Sequence, residues 1–248
     1  MMQLGARAHS LENIETILEQ GFKVLEISLP CQGGPEEEQA WAELAQKRGL
    51  ILIGHGPNEG DPRDLTQLAN ECLPKFRQAL EAAGRLGATL LTIHFNVDSR
   101  WLPPETVQGK IDLLAEVVGW GSELKVQVNL ENLSEGSADL KKALIEVPGL
   151  GLTLDVGHAM LTHKTSTAPE IIRLLFDRIS HLHLHDNHGG KSVKDDLHLI
   201  PGDGNVAFSE LFSMLKKRGY NRTATLELAP HEMALARKRV IDLWMNAS

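Results

Sequence analysis

The sequence predicts a single (β/α)8 TIM barrel running from residue 1 to residue 248, and three observations carry that expectation. Short runs of β-branched and aliphatic residues alternate eight times with longer stretches of helical period, the pattern of a parallel α/β fold. The chain has 248 residues, close to the roughly 250 that one such barrel takes. Most of the strand-like runs stop on a histidine, an aspartate or a glutamate, and a barrel gathers its reactive groups at the C-terminal ends of its strands.

Taken in order, the first strand is read at Gln3–Ala6 and its helix at Leu11–Gln20. The second strand is Lys23–Leu29, followed by a helix over Glu36–Arg48 that closes on Lys47-Arg48-Gly49. Leu50–His55 is the third strand, with Leu65–Leu86 as a long helix closing on Gly84-Arg85-Leu86-Gly87. Thr89–His94 precedes a helix over Glu105–Gly119, Lys125–Glu131 one over Leu140–Val147, and Gly151–Asp155 one over Glu170–Phe176. The seventh unit is Ile179–His185 with Ser209–Arg218, closed by Lys216-Lys217-Arg218-Gly219, and the eighth is Thr223–Leu228 with a helix near His231–Met245. Basic residues followed by glycine mark helix C-caps and place those turns on the barrel floor. Without a long linker, a low-complexity tract or a helical repeat, nothing asks for a second domain. A doubly wound open sheet is the competing architecture, but it would call for a GxGxxG turn after an early strand, which is missing.

Composition narrows the function. Hydrophobic residues make up 42% of the chain and charged residues 23%, the balance of a soluble globular protein. No apolar run reaches the roughly 18 residues of a membrane span, and the start lacks the pattern of a signal peptide. With only two cysteines, Cys31 and Cys72, a disulfide framework is excluded and a cytoplasmic location is expected. The formal charge of −8 disfavours nucleic acid as a partner. Eleven histidines beside one tyrosine call for a chemical explanation.

That explanation lies at the strand ends. His55, His94, Glu131, Asp155 and Glu227 end or nearly end five strands, and Asp155 is followed within one turn by His158. In His181-Leu182-His183-Leu184-His185 the period of two puts three imidazoles on one face, directed into the barrel if the leucines pack on helices. Asp196-Leu197-His198 follows on a loop that Gly202-Asp203-Gly204 lets turn tightly. Any one of these residues alone reads first as structural, and His163 and His231 are assigned to solvent-facing loop or helix-start positions. Taken together, so many carboxylates and imidazoles at one mouth would repel or be desolvated unless a cation neutralised them. Mixed nitrogen and oxygen donors suit Zn²⁺, Mn²⁺ or Fe²⁺.

The spaced set His55-Gly56-Pro57, His94, Leu130-Glu131-Asn132, Leu154-Asp155-Val156-Gly157-His158, His183-Leu184-His185-Asp186, Asp196-Leu197-His198 and Leu226-Glu227 resembles the xylose-isomerase-like TIM-barrel superfamily over essentially the whole chain. That superfamily holds sugar isomerases and epimerases and the endonuclease IV type of nucleases. The resemblance to its epimerase-like members implies one divalent ion on Glu131, Asp155, His183 and Glu227. The resemblance to its nuclease-like members implies up to three zinc ions on His55, His94, Glu131, Asp155, His158, His183, Asp196, His198 and Glu227. In two places the chain departs from these relatives. Where epimerase-like members carry an arginine after the seventh strand, the chain reads Asn187-His188-Gly189-Gly190-Lys191, and the stretches Asn58–Asp61 and Asp98–Trp101 are shorter than DNA-clasping loops.

The expected activity is therefore that of a metal-dependent sugar or sugar-phosphate isomerase or epimerase. It would use one to three Zn²⁺ or Mn²⁺ ions, with Glu131 and Glu227 as the proton-transferring pair and His158 and His188 positioning hydroxyls. The alternative is an endonuclease IV-like multinuclear zinc phosphoester hydrolase. A barrel that merely binds a ligand ranks third, because acids and bases at a barrel mouth read as catalytic. The expected partner is a small sugar or phosphorylated sugar, with no membrane, and homo-oligomerisation stays open.

Overall fold

A computed structural model describes residues 2–12 and 14–248; Asn13, inside the first expected helix, lies outside the described residues. Eight parallel strands close in sequence order, β8 pairing back onto β1. They are β1 (Gln3–Ala8), β2 (Val24–Ser28), β3 (Ile51–His55), β4 (Leu90–Ile93), β5 (Gln127–Glu131), β6 (Gly151–Asp155), β7 (Ile179–Leu184) and β8 (Thr223–Leu226). Helices α1 (Ile14–Glu19), α2 (Gly34–Arg48), α3 (Leu65–Gln67), α4 (Leu73–Leu86), α5 (Pro104–Leu124), α6 (Ser137–Glu146), α7 (Ala168–Leu175), α8 (Phe208–Lys217) and α9 (Met233–Asn246) lie between and after them. The (β/α)8 barrel read from the sequence is the fold observed. Among the described residues, no helix is long and apolar enough to cross a membrane.

Helix spacing explains how the outer layer seals. Leu73, Phe76, Ala79, Leu80 and Ala83 of α4 are buried, as are Phe208, Leu211, Phe212 and Leu215 of α8, each a stripe of i, i+3, i+4, i+7 spacing. They form one continuous outer core with the outward strand residues, among them Leu25 and Ile27 of β2, Leu152 and Leu154 of β6, and Leu182 and Leu184 of β7. The floor turns behave as their basic-then-glycine ends imply, with Gly49, Gly87 and Gly219 all at positive φ.

The inward residues are polar well below the mouth. Thr92 Oγ1 lies 2.8 Å from Thr153 Oγ1, Asn129 Nδ2 donates to Thr153 Oγ1 at 3.0 Å, and His181 meets Glu26 at 3.1 Å. Thr92 and Thr153 sit on β4 and β6, and Glu26 and His181 on β2 and β7, strands that are not neighbours. The Thr92–Thr153 and Glu26–His181 contacts therefore cross the interior, Asn129 reaches Thr153 from the neighbouring β5, and every one of the side chains is fully buried.

Helix α5 corrects the sequence reading. It was expected to stop at Gly119 but runs to Leu124, through Gly119 and Gly121. A Cβ at Gly121 would come within 2.7 Å of the Val126 carbonyl and of Val128. The glycine is thus there to let helix and strand approach, not to end the helix. The stop falls on Lys125, which adopts the left-handed conformation at φ 59°.

Candidate metal centre

Six of the eight strands, β3 to β8, deliver a ligand-type side chain to the mouth at or just past their ends, and alternate residues of a strand share a face. His55 ends β3, Glu131 ends β5, Asp155 ends β6 and His183 lies on β7, while His94 and Glu227 follow β4 and β8 directly. His158 opens the short turn His158–Met160 after β6. Asp196 and His198 come from the loop after β7, and the Asp186 carboxylate organises that loop by accepting from the backbone N–H of Gly202, Gly204 and Val206 at 2.8–2.9 Å. A Cβ on Gly204 would stand 2.3 Å from Asp186 Oδ1, so only glycine can occupy that position.

The expected ligands fall into three adjoining groups whose donor atoms each lie within 4.8 Å of one another. Glu131, Asp155, His183 and Glu227 form the central one; His55 and His94 join Glu131 on one side, and His158, Asp196 and His198 meet on the other with His185. Glu131 Oε2 stands 3.0 Å from His94 Nε2, 3.2 Å from His183 Nδ1 and 3.5 Å from His55 Nε2. His183 Nδ1 is also 3.5 Å from Glu227 Oε1 and 3.7 Å from Asp155 Oδ2. In the third group Asp196 Oδ2 is 3.1 Å from both His158 Nε2 and His198 Nε2.

Opposite each inner nitrogen, the other ring nitrogen has a partner of its own. His55 Nδ1 faces the Gly56 carbonyl at 3.0 Å, His94 Nδ1 faces Asn58 Oδ1 at 3.0 Å, and His198 Nδ1 the Glu227 carbonyl at 2.9 Å, while His158 Nδ1 lies 3.2 Å from the Asn132 carbonyl and 3.0 Å from Glu131 Oε1. His183 instead turns Nε2 outward to Glu26 at 3.0 Å. Outer acceptors of this kind fix which nitrogen carries the proton and leave the inner lone pair free for a metal.

Whether these residues fit a divalent cation can be judged from their unsatisfied atoms. Among the described residues, the buried side-chain atoms without a hydrogen-bond partner are Glu131 Oε1, His183 Nδ1, His185 Nδ1 and Thr167 Oγ1. The first three face the groups just described. An orphaned buried polar atom costs about 1–3 kcal/mol, which a bound cation would relieve. Two ligands of one tetrahedral Zn²⁺ at about 2.0–2.1 Å lie roughly 3.3 Å apart, and the central pairs at 3.2–3.7 Å match that spacing without being aligned as hydrogen bonds. The donor set fits Zn²⁺ or Mn²⁺.

Charge tells the same story. Burial alone would raise the Glu131 carboxyl, but the charges of His183 and His94 hold it well below its ordinary value. Burial would likewise depress His183 and His158, yet Glu227, Glu26 and Glu131 push His183 well up, and Asp155, Asp196 and Glu131 do so for His158. His198 is raised to about 9: its hydrogen bond to Asp196 and the charge of Glu227 outweigh burial. Without a cation, protons on the imidazoles neutralise the carboxylates, and a divalent ion would displace them.

Two cavities open onto the groups. One of about 530 Å³ is bordered by Arg7, His9, Ser28, His55, His198 and Glu227, and one of about 450 Å³ by Asn58, Asn96, Ser134, Leu161, Thr162 and Asp196. Both have the size of a small-molecule site.

Not every expected residue arrives. His188 is exposed on the loop after β7, where its carbonyl accepts from Asn205 Nδ2 at 3.0 Å, and it borders neither cavity. His163 is half-buried rather than solvent-facing, its Nε2 2.8 Å from the Ser134 carbonyl, whereas His231 is exposed as expected. Three residues went unforeseen. Arg7 and Glu26 are buried beside the centre, and His185, seen only as part of an alternation, bonds Asp155 through Nε2 at 3.0 Å and stacks on His198 with centroids 3.8 Å apart. Glu26 did leave a signal, a lone carboxylate amid the apolar run Val24-Leu25-Glu26-Ile27. Gly157 makes room for His185, since a Cβ there would stand 2.1 Å from His185 Cε1.

Known proteins place this architecture. Residues 14–244 match the family model described as a xylose isomerase-like TIM barrel. The uncharacterized protein MJ1311 of Methanocaldococcus jannaschii is 26% identical over 94% of this chain and 84% of its own length. The fructoselysine 3-epimerase of Shigella flexneri is 25% identical over 75% of this chain and 70% of its own. Among solved structures, a D-tagatose 3-epimerase-like protein superposes with a TM-score of 0.85 at 23% identity, covering 98% of this chain and 97% of its own. The IOLI protein with a bound zinc atom gives 0.80 at 18% identity, over 100% and 99%. With the closed barrel, the strand-end residues and a match over nearly its whole length, the chain belongs to the family of xylose isomerase-like TIM barrels.

Proposed function

We propose that the protein is a divalent-cation-dependent isomerase or epimerase of a sugar or sugar phosphate. One observation carries this reading: Glu131, Asp155, His183 and Glu227 bring their donor atoms within 4.8 Å of one another below an open cavity, and the two glutamates come from the end of β5 and just after β8, strands separated by β6 and β7 around the mouth. The likeness to a fructoselysine 3-epimerase supports the reaction class. A cation held there would polarise a substrate carbonyl and the hydroxyl beside it. Glu227 borders the cavity and is the better placed to take the proton from the adjacent carbon. Glu131, fully buried and kept ionised by its imidazole neighbours, is its partner in returning one. His158 borders both cavities, where it can orient a hydroxyl. Arg7, with Nε 3.9 Å from Glu227 Oε1, steadies that carboxylate.

A second reading, hydrolysis of a phosphoester at two or three zinc ions, is favoured by the two further groups of ligand-type residues that flank the central one. Incubation with a panel of ketoses and ketose phosphates plus Mn²⁺ in D₂O separates the two. The isomerase places solvent deuterium on the carbon next to the carbonyl, and Glu131→Gln lowers that exchange by about 10²–10⁴ while retaining part of the metal. Absence of exchange with every ketose, together with Zn²⁺-dependent release of phosphate or alcohol from a phosphoester, would leave the hydrolase in its place.

A further inference from the structure

Glu26 occupies the middle of β2, fully buried, between Leu25 and Ile27, which pack into the outer core. A carboxylate so placed must be compensated, and compensation comes across the barrel from β7. His183 Nε2 lies 3.0 Å from Glu26 Oε1 and 3.1 Å from Oε2, and His181 Nε2 lies 3.1 Å from Oε2. The far nitrogen of His181, Nδ1, is 2.8 Å from the Thr223 hydroxyl. One assignment of protons satisfies every member: Thr223 donates to His181 Nδ1, His181 Nε2–H donates to Glu26, and His183 Nε2–H donates to Glu26 as well.

When a cation displaces the inner proton, that assignment leaves the His183 Nδ1 lone pair to meet it, and Nδ1 is one of the few buried polar atoms without a hydrogen-bond partner among the described residues. His55, His94 and His198 have a backbone carbonyl or an amide oxygen as outer partner, whereas His183 has a carboxylate. His185 too has a carboxylate behind it, but that one is Asp155, itself a member of the central group, whereas Glu26 lies behind the centre. A carboxylate behind an imidazole fixes the tautomer more firmly than a carbonyl and raises the basicity of the inner nitrogen.

We propose that Glu26 is the positioning residue of the centre: it holds the His183 proton on Nε2 and thereby aims Nδ1 at the point shared by Glu131, Asp155 and Glu227. This rests on the reading of those four residues as a cation site. Glu26, His55 and His183 also lie within ligand distance of one another, but both Glu26 oxygens are already taken by imidazole nitrogens. It holds a ligand rather than serving as one.

The test uses Zn²⁺ itself as the probe. Protein carrying ¹⁵N-labelled histidine and loaded with Zn²⁺ should show His183 coordinated through Nδ1 with its proton kept on Nε2; coordination through Nε2 would overturn the proposal without any variant being needed. Calorimetric titration of Glu26→Gln, which preserves the volume of the side chain, should show a loss of about 10–100-fold in Zn²⁺ affinity. His181→Gln disturbs the same buried layer but leaves the Glu26–His183 bond in place, and it should retain the affinity. Wild-type affinity in Glu26→Gln, or an equal loss in His181→Gln, would contradict a positioning role. Failure of the wild-type protein to bind Zn²⁺ at all is a different result, removing the cation site and the proposed function with it.

Discussion

At the scale of single residues, the mouth is governed by close approaches that the linear sequence shows only in outline. His55, His94, Glu131, Asp155, His158, His183, Asp196, His198 and Glu227 could be named because each stands at or just past the end of a strand-like run or in a short loop beyond it, where a barrel displays its chemistry. Glu26 could not, because its partners His181 and His183 lie more than 150 residues away and nothing local brings them to mind. His188 lies away from both cavities for a related reason: it follows the alternating histidines, but the chain has turned out of the strand before reaching it. Gly157 offers a residue-scale test. Its replacement by alanine would press a methyl group into the His185 ring, and overpacking of this kind costs about 1–3 kcal/mol. Thermal denaturation of Gly157→Ala should therefore show a clear drop in Tm, with a weakened hold on metal because His185 bonds Asp155; an unchanged Tm would mean that the turn after β6 yields freely.

At the scale of elements, the helix α5 and the loop after β3 are locked together in a way that reaches the centre. Lys110 of α5 is fully buried, pairs with Glu59 Oε2 and lies over the Phe95 ring at 4.3 Å. Glu59 accepts from the Asn96 N–H at 2.8 Å, and its neighbour Asn58 is the outer partner of His94. The sequence made the helix visible but not this pairing, since a lysine on a helix is ordinarily solvated. Removing one member of a buried pair leaves an uncompensated charge and costs about 3–5 kcal/mol. Lys110→Met should lose stability on that scale in urea titrations, and the double variant Lys110→Met/Glu59→Gln should recover part of it. Additive losses would show that the two side chains are not coupled.

At the scale of the whole molecule, the barrel collects buried carboxylates into one mouth and balances them with imidazolium, so its stability and its metal affinity must both respond to pH. The imidazoles are raised: His198 to about 9, and His158 and His183 well above their usual value. A group raised in the folded state stabilises fully below its unfolded value, about 6.5, and that contribution is lost as pH climbs through the folded value. In the presence of a chelator, Tm should fall as pH rises from neutral past about 9. Metal ions compete with the same protons, so adding Zn²⁺ to the metal-free protein at neutral pH should release protons into a weakly buffered solution, and affinity should weaken as pH is lowered. Calorimetry in two buffers of different ionisation enthalpy measures the release. A Tm that rises through the same window without metal would contradict the imidazolium–carboxylate pairing.

The most direct test of a cation at the centre is metal content after equilibrium dialysis against Zn²⁺ or Mn²⁺, read by elemental analysis in the wild-type chain and in Asp155→Ala and Glu227→Ala. The expected result is at least one ion per chain in the wild type and a sharp fall in both variants, because each removes an oxygen from the group that also holds Glu131 and His183. A count of two or three ions would extend the centre to the flanking groups. Metal bound to the same extent in both variants, or none in the wild type, would contradict a cation centre at Glu131, Asp155, His183 and Glu227.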